Sequence, residues 1–328
     1  MPVNKKPRPI ELLAPAKNAQ VGREAILHGA DAVYIGGPCF GARQAAGNSV
    51  DDIRELCQLA HLYGARVYVT LNTILWDSEL IEAEALVWEL YEAGVDALIV
   101  QDMSLLCMHL PPIALHASTQ MDNCTPEKAK WLEAAGFRQI VLAREMSLEQ
   151  TKKIAEAVRV PLEAFVHGAL CVSYSGRCYA SQLCFNRSAN RGRCAQFCRL
   201  AFDLIDGEGN VLVKNKHLLS LKDMNRTHSL EEMMDAGVRS FKIEGRLKDA
   251  DYVKNITAWY RQQIDKVLSR RGADYVRASH GTSSISFTPD PSRTFNRSYT
   301  EYFLHGRTAE PNHALATPKA GGAVVGQV

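Results

Sequence analysis

Long apolar runs are missing from this sequence. No stretch approaches the roughly 20 consecutive apolar residues of a membrane-spanning helix. The early Lys5, Lys6 and Arg8 lead into no apolar signal core. The expectation is therefore a cytoplasmic protein with no membrane partner. HExxH, GxSxG and Walker A motifs are also missing, which argues against a zincin, a serine nucleophile elbow and a P-loop. No GxGxxG follows the first strand candidate, which weakens a dinucleotide-binding reading. Charge of one sign is not in excess: the net charge is +2 over 328 residues, so any electrostatic signal must be local. One such signal is itself an absence. Between Ala164 and Phe202 there is no Asp or Glu, yet the stretch carries Arg177, Arg187, Arg191, Arg193 and Arg199 together with five of the nine cysteines.

The rest of the chain alternates short apolar runs with amphipathic ones. Strand candidates are Leu12–Ala14, Ala32–Ile35, Arg66–Leu71, Ala97–Val100, Ile113–His116, Gln139–Leu142, Leu162–Val166 and Ser240–Ile243. Between them lie helical patterns at Asn18–His28, Val50–Tyr63, Asp77–Glu92, Pro126–Ala135, Ser147–Val158 and Leu230–Ala236, with a long helix at Asp249–Leu268. Ser147, three residues before Gln150, reads as a capping box. Pro15 is expected to stop the first strand, and Phe202–Val213 reads as a hairpin around Asp206-Gly207 and Gly209-Asn210. Repeated βα units imply a parallel sheet with right-handed crossovers. The strand count points to a TIM-barrel-like (β/α)8 fold with a Cys-rich insertion after the seventh strand and a short C-terminal tail. Leu218–Leu221 competes for the closing strand, and a doubly wound open sheet is the alternative. The expected organisation is a catalytic domain over 1–271, including the Cys-rich segment 168–199. A linker and the start of a β-rich region then occupy 272–328, ending in the strand-like GGAVVGQV.

In such folds the chemistry sits at strand C-termini. His167, at the end of the seventh strand, enters the cysteine segment directly. Lys242 and Glu244 share one side of their strand, either as an ion pair or as substrate contacts. Cys171, Cys178, Cys194 and Cys198 are spaced C-x6-C-x15-C-x3-C, with Cys184 between them. In a reducing compartment such a group favours metal or redox chemistry over disulfides. Only the last pair has zinc-knuckle spacing; iron–sulfur clusters tolerate irregular spacing. A [4Fe–4S] cluster is thus the leading cofactor and zinc the alternative. The arginines suit either an anionic cluster or a phosphate backbone. A Cys171–His167 nucleophile pair is a further reading.

At these residues the chain resembles a known family. Glu163-x-Phe165-x-x-Gly168-Ala169-Leu170-Cys171-x4-Gly176-x-Cys178 matches the signature of the collagenase-like peptidases of unknown catalytic type (peptidase family U, member thirty-two). Ser181 closes the pattern, with Ala180 in place of its larger aliphatic residue. The resemblance runs from about Glu11 to roughly Arg307. GREAILHGADAVYIGG, VTLNTIL, VDALIVQDM, LHASTQ, RSANRG and VKNIT bring the chain nearest the branch that makes 5-hydroxycytidine in large-subunit ribosomal RNA. That resemblance implies an oxygen-independent RNA hydroxylase with a [4Fe–4S] cluster on Cys171, Cys178, Cys194 and Cys198, a prephenate-like hydroxyl donor, and ribosomal RNA or its precursor as partner. Other branches imply tRNA uridine or quinone-precursor hydroxylation, and the family name implies proteolysis; a non-catalytic cluster-binding subunit is a third reading. His167 and Glu244 are the acid–base candidates. Arg177, Arg191, Arg193, Lys242 and Arg246 are the substrate-binding candidates. The longer relatives continue into a β-rich C-terminal region.

Overall fold

The structure, a computed structural model, describes residues 6–42, 47–307 and 312–315. Strands β1 (Arg8–Ala16), β2 (Ala32–Gly36), β3 (Arg66–Leu71), β4 (Ala97–Val100), β5 (Ala114–Ala117), β6 (Gln139–Val141) and β7 (Leu162–Gly168) pair in sequence order, all parallel. The helices between them are α1 (Ala19–Leu27), α2 (Val50–Leu62), α3 (Leu80–Glu92), α4 (Pro126–Ala134) and α5 (Leu148–Ala157). The Cys-rich segment carries α6 (Ala180–Phe185) and leads into a hairpin of β8 (Phe202–Ile205) and β9 (Val211–Lys216). A short β10 (Asp223–Asn225) and α7 (Leu230–Asp235) precede β11 (Val238–Ile243). β11 pairs in parallel with both β7 and β1, which closes an eight-stranded parallel barrel. The TIM-barrel-like expectation is met, and an open doubly wound sheet is ruled out by this closure.

Three local expectations are corrected. Pro15 does not stop β1; it pairs with Tyr34 and the strand runs to Ala16. Leu218–Leu221 is not a closing strand. Its Leu221 forms only an isolated bridge to His313, while β10 lies antiparallel on the end of β7. The segment read as a linker packs back on the barrel: after α8 (Ala250–Arg270), β12 (Tyr275–Arg277) pairs with β1 and β13 (Tyr299–Thr300) with β10. The GGAVVGQV stretch lies outside the described residues. Among those residues, no helix is long and apolar enough to cross a membrane.

Strand parity builds two cores. Val33, Ile35, Val67 and Val69 face the helices, whereas Leu13, Ala32, Tyr34, Tyr68, Ala97 and Ile99 fill the barrel interior. Both faces are covered, so the strands read as near-continuous apolar runs. Helix starts are fixed by side-chain caps. Ser147 and Gln150 form the expected capping box on α5, Ser49 and Asp52 form another on α2, and Asp249 caps α8. These caps set where each helix begins, and thereby the length of each strand-to-helix loop at the barrel mouth.

Candidate active site at the barrel mouth

The interior of the barrel is polar where it meets the mouth. Glu163 of β7 is fully buried and accepts hydrogen bonds from Lys242 Nζ and from Gln139 Nε2, each at 2.6 Å. Burial pushes the Lys242 ammonium below its ordinary range, and the Glu163 carboxylate opposes that shift. The ammonium also lies 4.3 Å from the centre of the Tyr34 ring. One level up, Arg144 pairs with Glu244 at 3.2 Å and stacks 4.0 Å over Phe165. Arg246 donates to the Thr70 hydroxyl. Deeper, His116 is buried edge-on against Tyr68 at 4.7 Å, and burial drives it down to about 3, so it stays neutral.

The Cys-rich segment folds over this floor, and its glycines have steric reasons. Gly168, at φ 101°, ends β7 where a Cβ would lie 2.5 Å from the Glu244 carbonyl oxygen. Gly176, at φ 75°, passes the Gln120 backbone so closely that a Cβ would sit 1.9 Å from its oxygen. Ser175 donates through its N–H and hydroxyl to Glu145 at 3.0 and 2.9 Å. Asn190 donates to the Gly176 carbonyl, and its own carbonyl accepts from the Ile74 N–H. Arg191 grips Glu79 with two bonds, of 2.6 and 2.9 Å, and lies 5.1 Å from the Trp76 ring centre. Arg199 donates to Ser220 and to the carbonyls of Leu221 and Leu170. The acids missing from the segment are thus supplied by the barrel loops that receive it.

Between floor and segment lies a cavity of about 330 Å³. Cys171, Cys178, Cys194 and Cys198 all line it, as do Lys242, Glu244, Arg246, Arg144 and Arg177. Cys184 does not; it is exposed on α6. Burial pushes the Cys198 thiol up, Arg199 opposes this, and charge on Cys171, Cys194 and Cys178 would raise it further. The four sulfurs therefore share one electrostatic neighbourhood. The motif serine has a place as well: Ser181 Oγ lies 3.9 Å from Cys194 Sγ and accepts from the Ala195 N–H. Among the described residues, no three His, Cys, Asp or Glu side chains converge closely enough for one bare metal ion. The thiols surround a space and do not meet at a point.

Several candidates sit elsewhere. His167 is outside the cavity lining. The pairing of β7 with β11 slips between Lys242 and Ile243, so His167 meets Ile243 and its ring lies among Tyr252, Tyr260 and Tyr299. Burial drives it down to about 3, so the ring is neutral, packed among tyrosines and set apart from the cavity lining. Arg191 is occupied by Glu79, and Arg193 is exposed away from the lining. Lys242 and Glu244 both line the cavity, and each pairs elsewhere: Lys242 with Glu163 of β7, Glu244 with Arg144 in the loop after β6. Cys39, outside the Cys-rich segment and not among the candidates above, borders a separate small cavity, where burial and Glu82 push its thiol up to about 11. Tyr34, Gln139 and the role of Glu163 were not anticipated. The signal for Glu163 was its place two residues before Phe165, on the same strand face.

The model of Peptidase family U32 matches residues 17–314. The chain belongs to peptidase family U32. Among curated relatives, the 23S rRNA 5-hydroxycytidine C2501 synthase of Escherichia coli is 56% identical over 97% of this chain and 48% of its own length. The tRNA hydroxylation protein P1 of Bacillus subtilis is 36% identical over 80% of the chain and 64% of its own length. A collagenase of Porphyromonas gingivalis is 30% identical over 92% and 75%. The chain thus spans about half the length of the first of these U32 relatives.

Proposed function

We propose that this chain carries the catalytic barrel of an RNA hydroxylase that forms 5-hydroxycytidine in large-subunit ribosomal RNA. The observation that carries the reading is the set of four cysteines around one cavity at the C-terminal mouth of the barrel. The 56% identity to a ribosomal RNA 5-hydroxycytidine synthase supports the substrate assignment.

The donor set fits a [4Fe–4S] cluster. Four thiols line one cavity, and no acid of the segment competes for the metal. Among the described residues no three His, Cys, Asp or Glu side chains converge as a mononuclear zinc site requires, which supports the cluster over zinc. Replacing C5–H by C5–OH on a pyrimidine is a two-electron oxidation of the base; it balances if the hydroxyl donor takes up those two electrons as its own C–OH becomes C–H, and a bound cluster would relay them. The chain's own residues do the rest. Lys242, Arg144 and Arg246 line the cavity, the first two already ion-paired to Glu163 and Glu244, and together suit the carboxylates of a prephenate-like donor. Glu244, at 15% side-chain exposure and held by Arg144, is placed to accept a proton at the mouth. Phe165 and Tyr34 keep the floor apolar around these charges.

The peptidase reading finds less support. Its Cys171–His167 pair needs an imidazole turned to the thiol, whereas His167 Nδ1 faces the Tyr260 hydroxyl at 3.3 Å. The deciding experiment deletes the gene and maps ribosomal RNA by mass spectrometry. Loss of 5-hydroxycytidine, restored by the chain and not by its Cys194→Ala variant, is expected. Unchanged 5-hydroxypyrimidine levels would remove this function.

A further inference from the structure

The cavity is reached past an exposed aromatic rim. Tyr174 and Tyr179 both line its entrance, yet they are 53% and 68% exposed. Arg177 lies between them in sequence, also lines the cavity, and keeps a side-chain exposure of 64% beside Asp122 at 3.5 Å. Other large side chains of this chain are exposed too, but these two lie at the edge of the cavity, where an open ring face can stack on a base that enters it. The loop that carries the rim is tied to the barrel by Gly176 on Gln120, Ser175 on Glu145 and Arg191 on Glu79. Tyr174 and Arg177 also face a neighbouring groove of about 630 Å³ that runs to Phe303 and Arg307. They form a sill between that groove and the cavity.

We infer that Tyr174, Arg177 and Tyr179 form a stacking rim that admits the substrate as single-stranded RNA, with the target base extruded into the cavity and a neighbouring base stacked on the tyrosines. This deepens the RNA reading and rests on it. The floor at Lys242 and Phe165 is at most 4% exposed, so an atom undergoing chemistry there must leave the helical stack to reach it. Stacking, not charge, carries the contact. In the groove, Lys153, Arg177 and Arg307 are matched by Asp122, Glu145 and Glu149, and Glu149 is already bonded to Lys153. Binding therefore depends weakly on salt, with a log–log slope on the order of −1, as for one or two neutralised phosphates.

The test is fluorescence anisotropy with a labelled cytidine-containing RNA of about 12 nucleotides, free or annealed to its complement, against the intact chain. The single strand is expected to bind at least tenfold more tightly than the duplex. Tyr179→Ala weakens it about tenfold, while Tyr179→Phe, which keeps the ring, binds like the wild type. Tyr174→Ala behaves like Tyr179→Ala, and Arg177→Ala flattens the salt slope. Matched circular dichroism spectra exclude misfolding as the cause. Single-strand binding that survives both alanine variants, or equal affinity for duplex, overturns the rim while leaving the RNA substrate standing. Failure of the wild type to bind either RNA overturns both.

Discussion

Lys242 and Glu163 form an ion pair at 2.6 Å inside the closed barrel, with side-chain exposures of 5% and 0%. The pair joins the seventh and last barrel strands directly beneath the cavity. Breaking a buried pair leaves a charge without its partner, which costs on the order of 3–5 kcal/mol, whereas replacing both members can be nearly neutral. Glu163→Gln and Lys242→Met are each expected to destabilise by about that amount. The double variant should lose much less, because it buries no unpaired charge and the amide oxygen that replaces the Glu163 carboxylate can still accept from Gln139. Urea unfolding in a double-mutant cycle checks this, and simple additivity of the two single losses would contradict it.

Two glycines at positive φ give a second prediction. Gly136 and Gly176 both lie at positive φ, but a Cβ on Gly136 meets nothing within 4 Å, while one on Gly176 meets the Gln120 oxygen at 1.9 Å. Gly136→Ala should cost only the backbone strain, about 1–2 kcal/mol. Gly176→Ala must also push the segment off the barrel. It should lower Tm further and speed tryptic cleavage at Arg177, Arg187 or Arg193. Equal Tm losses for the two variants would show that the close approach is not a constraint.

The barrel was legible because its strands are buried on both faces and its helices carry explicit caps, such as Ser147 with Gln150. Spacing grouped the cysteines, but only the family resemblance set Cys184 apart from the other four; those four line the cavity and Cys184 does not. His167 misled for a local reason. Strict alternation from Glu163 and Phe165 would aim it inward, but the slip in register opposite Ile243 sends it to the tyrosines of α8. Arg191 misled because its partner, Glu79, is 112 positions away in the chain, and no local pattern reports such a pair. The same holds for Arg144 with Glu244, and for Lys242 with Glu163.

His167 carries a pH dependence whose sign is fixed by its burial. Its folded value falls from the ordinary 6.5 to about 3 because burial disfavours the charged ring. Between those limits the unfolded chain binds the proton and the folded chain does not, so stability is lost as pH falls from about 6.5 towards 3. The contribution is on the order of 1–4 kcal/mol. His167→Phe keeps an aromatic ring among the three tyrosines and removes the titration. Its stability should fall less steeply with acid than that of the wild type, as read from urea midpoints at stepped pH. Parallel curves would mean that the imidazole is protonated in the fold or already neutral in the unfolded chain.

The ligand assignment is tested by contrast within one segment. Cys171, Cys178, Cys194 and Cys198 line the cavity, while Cys184 sits exposed on α6 only six residues after Cys178 and ten before Cys194. All five thiols belong to the same acid-free stretch of sequence, so a general effect of losing a thiol there would strike Cys184→Ala as hard as the rest. If the cavity holds a cluster, each of the four lining positions changed to Ala should lose most of the iron and the broad thiolate-to-iron absorbance near roughly 400 nm after anaerobic purification. Cys184→Ala should keep both. Arg191→Ala separates ligation from positioning: it leaves every sulfur in place but releases the segment from Glu79, so iron should bind at reduced occupancy with the same spectrum. A colourless wild-type protein with stoichiometric zinc would sink the cluster assignment, and full iron in Cys194→Ala would sink that ligand.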